Sequence, residues 1–129
     1  MPTLISPTDV LNQGDIFWGE ASAASGSEQA GDRPWVVMSR RAINGANTVV
    51  AVPLSRRMEK ASKYPHFCIL IPAAEALPIP GQTASVDRVA LCHQVRVVDK
   101  AMFREKWGKL TLAAISSIQL GLQWVFDAL

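Results

Sequence analysis

The side chains whose types and spacing could do chemistry are concentrated in one polar segment, residues 26–34, with the sequence GSEQAGDRP. Arg33 stands directly before Pro34. A proline disfavours the helical conformation at the residue before it, so Arg33 is predicted to be extended. An arginine fixed in this way presents a planar fork of N–H donors that matches a phosphate group. The alternative is an ion pair within the segment, with Glu28 or Asp32 as the partner of Arg33.

The positive charge of the chain is concentrated in residues 33–63, which start at Arg33, near the end of this polar segment. The whole chain has a net charge of +2, but residues 33–63 hold seven basic side chains against one acid, a net charge of +6. Such asymmetry favours a polyanionic partner. Arg56 and Arg57 follow Ser55 and are suited to contact phosphates, although they could be solvated loop charges only. Four tryptophan rings could stack on bases: Trp18, Trp35, Trp107 and Trp124. The alternative is that these rings pack in the core or in a dimer interface.

The composition places these residues in a single globular domain. Of the 129 residues, 49% are hydrophobic and 19% are charged, which excludes a disordered chain. No apolar run approaches the roughly 18 residues of a membrane helix, and residues 1–10 lack the features of a secretory signal. We therefore expect no membrane contact and a cytoplasmic location. Cys68 and Cys92 lie in apolar runs, which predicts buried thiols in a reducing compartment rather than zinc ligands.

The elements that must position Arg33 are mainly short strands. Runs rich in β-branched and aromatic residues predict strands over residues 15–21, 35–39, 48–54, 66–71, 85–91 and 94–98. Pro53, near the end of the third strand, indicates a sheet edge or a bulge. Between these strands we predict loops over residues 22–33 and 55–65 and an irregular stretch over residues 73–84. A short helical turn is predicted over residues 102–107.

The last stretch is predicted to be the longest helix. Apolar residues recur at helical spacing over residues 111–129, and Thr111 is a suitable N-cap. Short strands followed by one helix predict a mainly β fold in the form of a small curled sheet or barrel. We divide the chain into an N-terminal tail, residues 1–13, and one domain, residues 14–129.

Three stretches, in this order, resemble the MazF/PemK family of toxin endoribonucleases from toxin–antitoxin modules. GDIFW followed by GSEQAGDRPWVV is similar to the family's first strand and its G-x-E-x-x-G-x-R-P loop. VPLS, residues 52–55, looks like the family's third strand, which ends in a hydroxyl residue. Residues 85–99 are similar to its S/G-V…D/E-Q-x-R-x-I-D segment. The resemblance implies an SH3-like barrel with a helix, usually a homodimer, that cuts single-stranded RNA without a metal or other cofactor.

The resemblance also implies roles for individual residues. Arg33 corresponds to the principal catalytic arginine. Ser55 stands where most members carry Thr, and it keeps a hydroxyl that could donate to a phosphate oxygen. His93 is a departure, because many members have a carboxylate at that position. Together with the two arginines after Ser55, the predicted substrate-binding residues are Ser27, Glu28, Gln29, Arg56, Arg57, Gln94 and Arg96.

Cleavage of RNA by attack of a 2′-OH on its own phosphate makes three demands. It needs a base for the 2′ proton, an acid for the leaving 5′ oxygen, and donors that stabilise the phosphorane. Arg33 suits the last task but is a poor base, because a free guanidinium has a pKa above about 12. We hypothesise that His93 moves a proton, since an imidazole pKa near about 6.5 permits this at neutral pH. The alternative is an ordinary hydrogen-bonded histidine.

Three functions remain open at this level. The first is an RNA-cleaving toxin that leaves 2′,3′-cyclic phosphate and 5′-OH ends, and the resemblance implies a cognate antitoxin with an acidic disordered segment. The second is a non-catalytic, CcdB-like toxin that binds a protein target. The third is an inactive RNA-binding module on the same barrel. The pair Arg33–Pro34 in a basic setting favours the first.

Overall fold

The computed structural model describes residues 10–21, 31–41, 43–78 and 86–127. These ranges contain eight strands: β1 Asp15–Ala21, β2 Gly31–Val37, β3 Thr48–Ser55, β4 Cys68–Ile71, β5 Ala76–Pro78, β6 Arg88–Leu91, β7 Arg96–Asp99 and β8 Phe103–Leu110. A short helix, α1 Glu59–Lys63, lies between β3 and β4, and a long helix, α2 Leu112–Phe126, follows β8. Single 3₁₀ turns occupy Ala73–Glu75, Cys92–Gln94 and Lys100–Met102.

The strands form one antiparallel sheet in the order β4-β6-β3-β2-β1-β8-β5, and β7 pairs with the first half of β3. Residues 48–51 of β3 pair with β7, whereas residues 54–55 pair with β6. Pro53 lies between these two ladders, so the irregularity predicted there is a change of partner in a central strand rather than a sheet edge. Because β3 serves both pairings, the sheet curls into a half-barrel, and the predicted mainly β fold with a C-terminal helix is confirmed.

Alternate residues of β3 enter two different cores. Val52 and Leu54 belong to the core that α2 covers, whereas Val49 and Ala51 belong to a second core on the other face of the sheet. This is the two-residue periodicity of a strand that is buried on both faces. Leu11, which we assigned to the N-terminal tail, is buried in the second core, and the Asn44 side chain donates to its carbonyl oxygen.

Helix α2 begins and packs as its sequence indicates. The Thr111 hydroxyl accepts the backbone N–H of Ala114 at 3.2 Å, which confirms the predicted N-cap. The buried face includes Ile115, Ile118 and Gly121. A Cβ at Gly121 would lie 2.7 Å from the Cys92 Sγ, so glycine allows the helix to approach the turn that follows β6.

Several sequence predictions of local structure were wrong. Residues 102–107 do not form a helical turn: Phe103–Leu110 is strand β8, which pairs with β1 on one side and β5 on the other, and these pairings override a weak local preference. The predicted loop at 55–65 contains α1, and the irregular stretch at 73–84 contains β5. Strand β2 begins at Gly31, four residues earlier than predicted, so Arg33 lies inside a strand.

Candidate active site

Strand pairing brings Arg33 and Ser55 to the same end of the sheet. The β1–β2 ladder pairs Gly19 with Arg33, and the β3–β6 ladder pairs Ser55 with Val89. The β2–β3 ladder ends at the pair Trp35 and Pro53, so Arg33 and Ser55 each lie two residues beyond its last pair, at the same end of neighbouring strands. At this point Ser55 pairs with β6. The pairing thus brings the two residues to one end of the sheet, although 22 residues separate them in sequence.

The strand segment around Arg33 is firmly packed. Trp35, two residues on, is only 1% exposed, and the Phe17 ring on the neighbouring strand stacks on Phe103 with centroids 5.0 Å apart. Arg33 itself is half-buried, and its Nε atom is buried. This burial lowers the pKa of Arg33, because a charged guanidinium loses solvation there. A partly desolvated cation on a rigid strand is a preorganised donor for an anionic group.

Gly19, opposite Arg33, allows β1 and β8 to approach closely. A Cβ built on Gly19 would lie 2.6 Å from the carbonyl oxygen of Met102 and 2.9 Å from a ring carbon of Phe103. A side chain of any size at position 19 would therefore push against backbone atoms and shift the strand that pairs with Arg33.

The Ser55 hydroxyl is set up as a donor. Ser55 is 7% exposed, and its Oγ accepts the backbone N–H of Arg57 at 3.1 Å. A hydroxyl that already accepts one hydrogen bond still has its own proton to donate. Arg57 directs its Nε to the Glu59 carboxylate at 3.1 Å, and both side chains are about two-thirds exposed, so this ion pair contributes little to stability. Arg56 is exposed.

His93 lies outside the strand ladders that hold this pair. It stands on the turn Cys92–Gln94, and its ring packs in a T-shaped arrangement with the Phe67 ring, with centroids 4.9 Å apart. Ser55 pairs with Val89, so His93 is four residues farther along the chain, beyond the end of β6. Desolvation, followed by the charge of Lys60, lowers the pKa of His93 below its ordinary value of 6.5.

The other predicted site residues are dispersed. Gln94 is half-buried on the same turn as His93. Arg96 pairs with Ala51, four residues before Ser55 on β3, and lines a separate groove with Leu122 and Phe126. Three predicted substrate-binding residues fall outside the described residues: Ser27, Glu28 and Gln29.

Comparison with known proteins decides the family. Residues 12–126 match the family described as PemK-like, MazF-like toxin of type II toxin–antitoxin system. The chain belongs to the MazF/PemK toxin family. Its fold is similar to that of MazF from Deinococcus radiodurans, with a TM-score of 0.67 and 24% identity over 91% of this chain and 96% of that one. It is also similar to the Mycobacterium tuberculosis toxin MazF-mt6, with a TM-score of 0.66 and 12% identity over 88% and 96%.

A second basic group of this MazF-family chain lies at the same end of the sheet, and the sequence analysis missed it. Arg88 is outside the basic segment 33–63, so the charge count did not include it. Its guanidinium lies 5.5 Å from the centroid of the Trp107 ring, which stacks on Trp18 with centroids 4.7 Å apart. Burial and then the charge of Arg56 lower the pKa of Arg88. Of the four tryptophans considered for base stacking, Trp35 is buried in the core.

The remaining sequence predictions concern thiols, metals and membranes. Cys68 and Cys92 are both buried and free, as predicted, and burial raises the pKa of Cys92 to about 12. Across the ranges that the structure describes, no three His, Cys, Asp or Glu side chains come together as metal ligands. In those same ranges, neither the length nor the hydropathy of any helix suffices to span a membrane.

Proposed function

We propose that this toxin is an endoribonuclease that cleaves single-stranded RNA by attack of a 2′-OH on the adjacent phosphate. The products would carry 2′,3′-cyclic phosphate and 5′-OH ends. The observation that supports the proposal is that Arg33 and Ser55 lie at the same end of neighbouring strands. A cationic fork and a hydroxyl donor are suited to hold two non-bridging oxygens of one phosphate.

The chemistry follows from charge development in the transition state. As the 2′ oxygen attacks, negative charge grows on the non-bridging oxygens of the phosphorane, and donors already aimed at them lower the barrier. Arg33 supplies a full positive charge from a half-buried position, and Ser55 supplies a neutral O–H. We assign Arg33 the larger share, because hydrogen bonds from a charged donor are about twice as strong as neutral ones.

We retain His93 as the proposed proton carrier. Its lowered pKa keeps the imidazole in the neutral form at pH 7, and the neutral form is the one that accepts a proton. His93 lies on the turn after β6, beyond Val89, the partner of Ser55. The remaining proposed substrate contacts are the flanking polar and basic residues Ser27, Glu28, Gln29, Arg56, Arg57, Gln94 and Arg96.

We further propose a cytoplasmic homodimer that is neutralised by a cognate antitoxin. Solved relatives of similar fold include a MazE–MazF complex from D. radiodurans and an endoribonuclease in complex with its cognate antitoxin from a mycobacterial species. Exposed apolar side chains around one groove, Val97 at 63% and Phe126 at 69%, favour burial against a second copy. An acidic disordered antitoxin segment would complement the basic segment 33–63 and compete with RNA.

One assay tests the proposed activity. Purified protein is incubated with labelled single-stranded RNA in EDTA, and the fragment ends are identified. Fragments with 2′,3′-cyclic phosphate ends in wild type, and none with Arg33→Ala, are the expected result. Fragments that form only after Mg²⁺ is added would contradict the metal-independent route. No fragments under either condition would favour a toxin that acts by binding a protein target.

A further inference from the structure

Arg88 makes a contact across the mouth of the curled sheet. It lies on β6, whereas Trp107 lies on β8, and three strands separate these two in the sheet order. The guanidinium nevertheless reaches to 5.5 Å from the Trp107 ring centroid. Trp107 is itself fixed, because it stacks on Trp18 with an interplanar angle of 13° and donates its Nε1–H to Glu105 at 2.9 Å. Arg88 is therefore held by a rigid aromatic stack.

A guanidinium that rests on a ring keeps its donors available. The aromatic contact uses the face of the planar group, while the N–H bonds point outward in its plane. Arg56 stands close to Arg88, because Ser55 pairs with Val89 and the two arginines each lie one residue beyond that pair. Two nearby positive charges both gain when an anion binds between them. The adjacent carboxylate, Asp87, accepts the backbone N–H of Ala73 at 2.8 Å.

The pair lies at the same end of the sheet as the candidate active site. Arg56 directly follows Ser55 in the chain, and Arg88 directly precedes Val89, the partner of Ser55. Because Trp18 pairs with Pro34, the Trp18–Trp107 stack lies on the opposite face of the sheet from Arg33. We propose that Arg88 and Arg56 form a subsite for a second phosphate of the RNA, at the same end of the sheet as the phosphate that is cleaved, and that the Trp18–Trp107 stack positions Arg88. The charge complementarity of two guanidiniums with a polyanion favours RNA as the occupant. This inference rests on the proposed function.

Binding of RNA that stays intact tests the subsite. Labelled single-stranded RNA is titrated into the full-length Arg33→Ala protein, with and without Arg88→Gln, at several salt concentrations. We expect Arg88→Gln to weaken binding about tenfold or more, the scale of a hydrogen bond to a charged group. The slope of log affinity against log salt should fall by about 0.7, the value for one contact to a single strand. Lys109→Gln removes the same charge from the end of β8 that is away from Gly19 and Arg33, and should change affinity less than about twofold.

A second pair of variants tests the positioning role of the stack. Trp107→Phe keeps a ring under Arg88 and should retain most of the affinity, whereas Trp107→Leu should lose about as much as Arg88→Gln. Thermal unfolding verifies that each variant is folded. A salt slope and affinity for Arg88→Gln equal to those of Lys109→Gln would overturn the subsite. In that case cleavage by the wild type would leave the proposed function intact.

Discussion

Arg33 and His93 are held by different kinds of structure. Arg33 stands inside strand β2, hydrogen-bonded to β1 in register with Gly19, and its neighbours Pro34 and Trp35 are buried. His93 stands on a 3₁₀ turn, is exposed, and contacts the edge of one aromatic ring. The first position is set by strand pairing on a rigid sheet, and the second by a short turn between two strands.

This difference bears on what each residue can contribute. Stabilisation of a phosphorane depends on donors held within fractions of an ångström, which a paired strand provides. Proton transfer also needs contact with the reacting oxygen, but such contacts often tighten only when substrate binds. Stabilisation of a phosphorane therefore fits the paired strand of Arg33, whereas proton transfer by His93 requires its turn to meet the substrate on binding, so the two positions should respond differently to substitution.

The largest effect is expected at Arg33. Arg33→Ala should lower the cleavage rate by about two to four powers of ten, the scale of losing a preorganised donor or a charged contact in the transition state. Arg33→Lys keeps the charge but loses the planar fork, so it should recover only part of the rate. Rates come from single-turnover cleavage of a labelled RNA, with thermal unfolding as the check on folding. Near-normal cleavage by folded Arg33→Ala would remove Arg33 from the mechanism.

The pH profile of cleavage tests His93. If His93 accepts the 2′-OH proton, the logarithm of the rate rises with unit slope at low pH. It levels off above the pKa of His93, which lies below 6.5. His93→Asn should remove this inflection and lower the plateau by about a hundredfold or more, the scale of general base catalysis.

His66→Asn is the matched control for His93→Asn, because His66 is exposed and its ring stacks on Trp124 rather than on the turn. Its pH profile should follow that of the wild type. If His93→Asn also keeps the wild-type profile, His93 belongs to the aromatic surface alone, and the contrast with Arg33 becomes one between a catalytic and a structural position.

A smaller effect is expected at Ser55. Ser55→Ala removes one neutral donor and should lower the rate by about tenfold to a hundredfold. It also leaves the backbone N–H of Arg57 without its present acceptor. Ser55→Thr keeps the hydroxyl and should retain most of the activity, with a modest loss of stability because a methyl group enters a buried site. Equal rates for the alanine and threonine variants would show that the hydroxyl is not used.

Much of the fold could be predicted because local signals were strong. The first strand was predicted over residues 15–21 and is Asp15–Ala21; the helix predicted over residues 111–129 is Leu112–Phe126. The prediction failed for β8, whose sequence FREKWGKL has no clear alternation. What makes that segment a strand is pairing on both sides, and partners distant in sequence leave no local pattern.

The residues of the candidate site also differ in how far the sequence predicts them. Arg33 and Pro34 form a local signal, and Ser55 was predicted from the family resemblance. Neither local spacing nor composition reveals that these residues lie at the same end of the sheet, because that depends on the pairing of β2 with β3. The sequence does not predict a role for Arg88, because its contact with the Trp107 ring forms only when the sheet curls and brings β6 near β8.

The smallest effect on cleavage, and the clearest on stability, is expected at Gly19. Gly19→Ala places a Cβ 2.6 Å from the Met102 carbonyl oxygen, and because that neighbour is backbone, β1 and β8 must separate. The free energy of unfolding should fall by about 1–3 kcal/mol, the usual cost of overpacking. Gly45→Ala is the control, because a Cβ there meets nothing within 4 Å and should leave stability nearly unchanged.

If the register opposite Arg33 matters for phosphate binding, Gly19→Ala should also lower cleavage at temperatures where it is fully folded, whereas Gly45→Ala should not. A destabilised Gly19→Ala that cleaves at the wild-type rate would show that Arg33 keeps its position without close packing of β1 on β8.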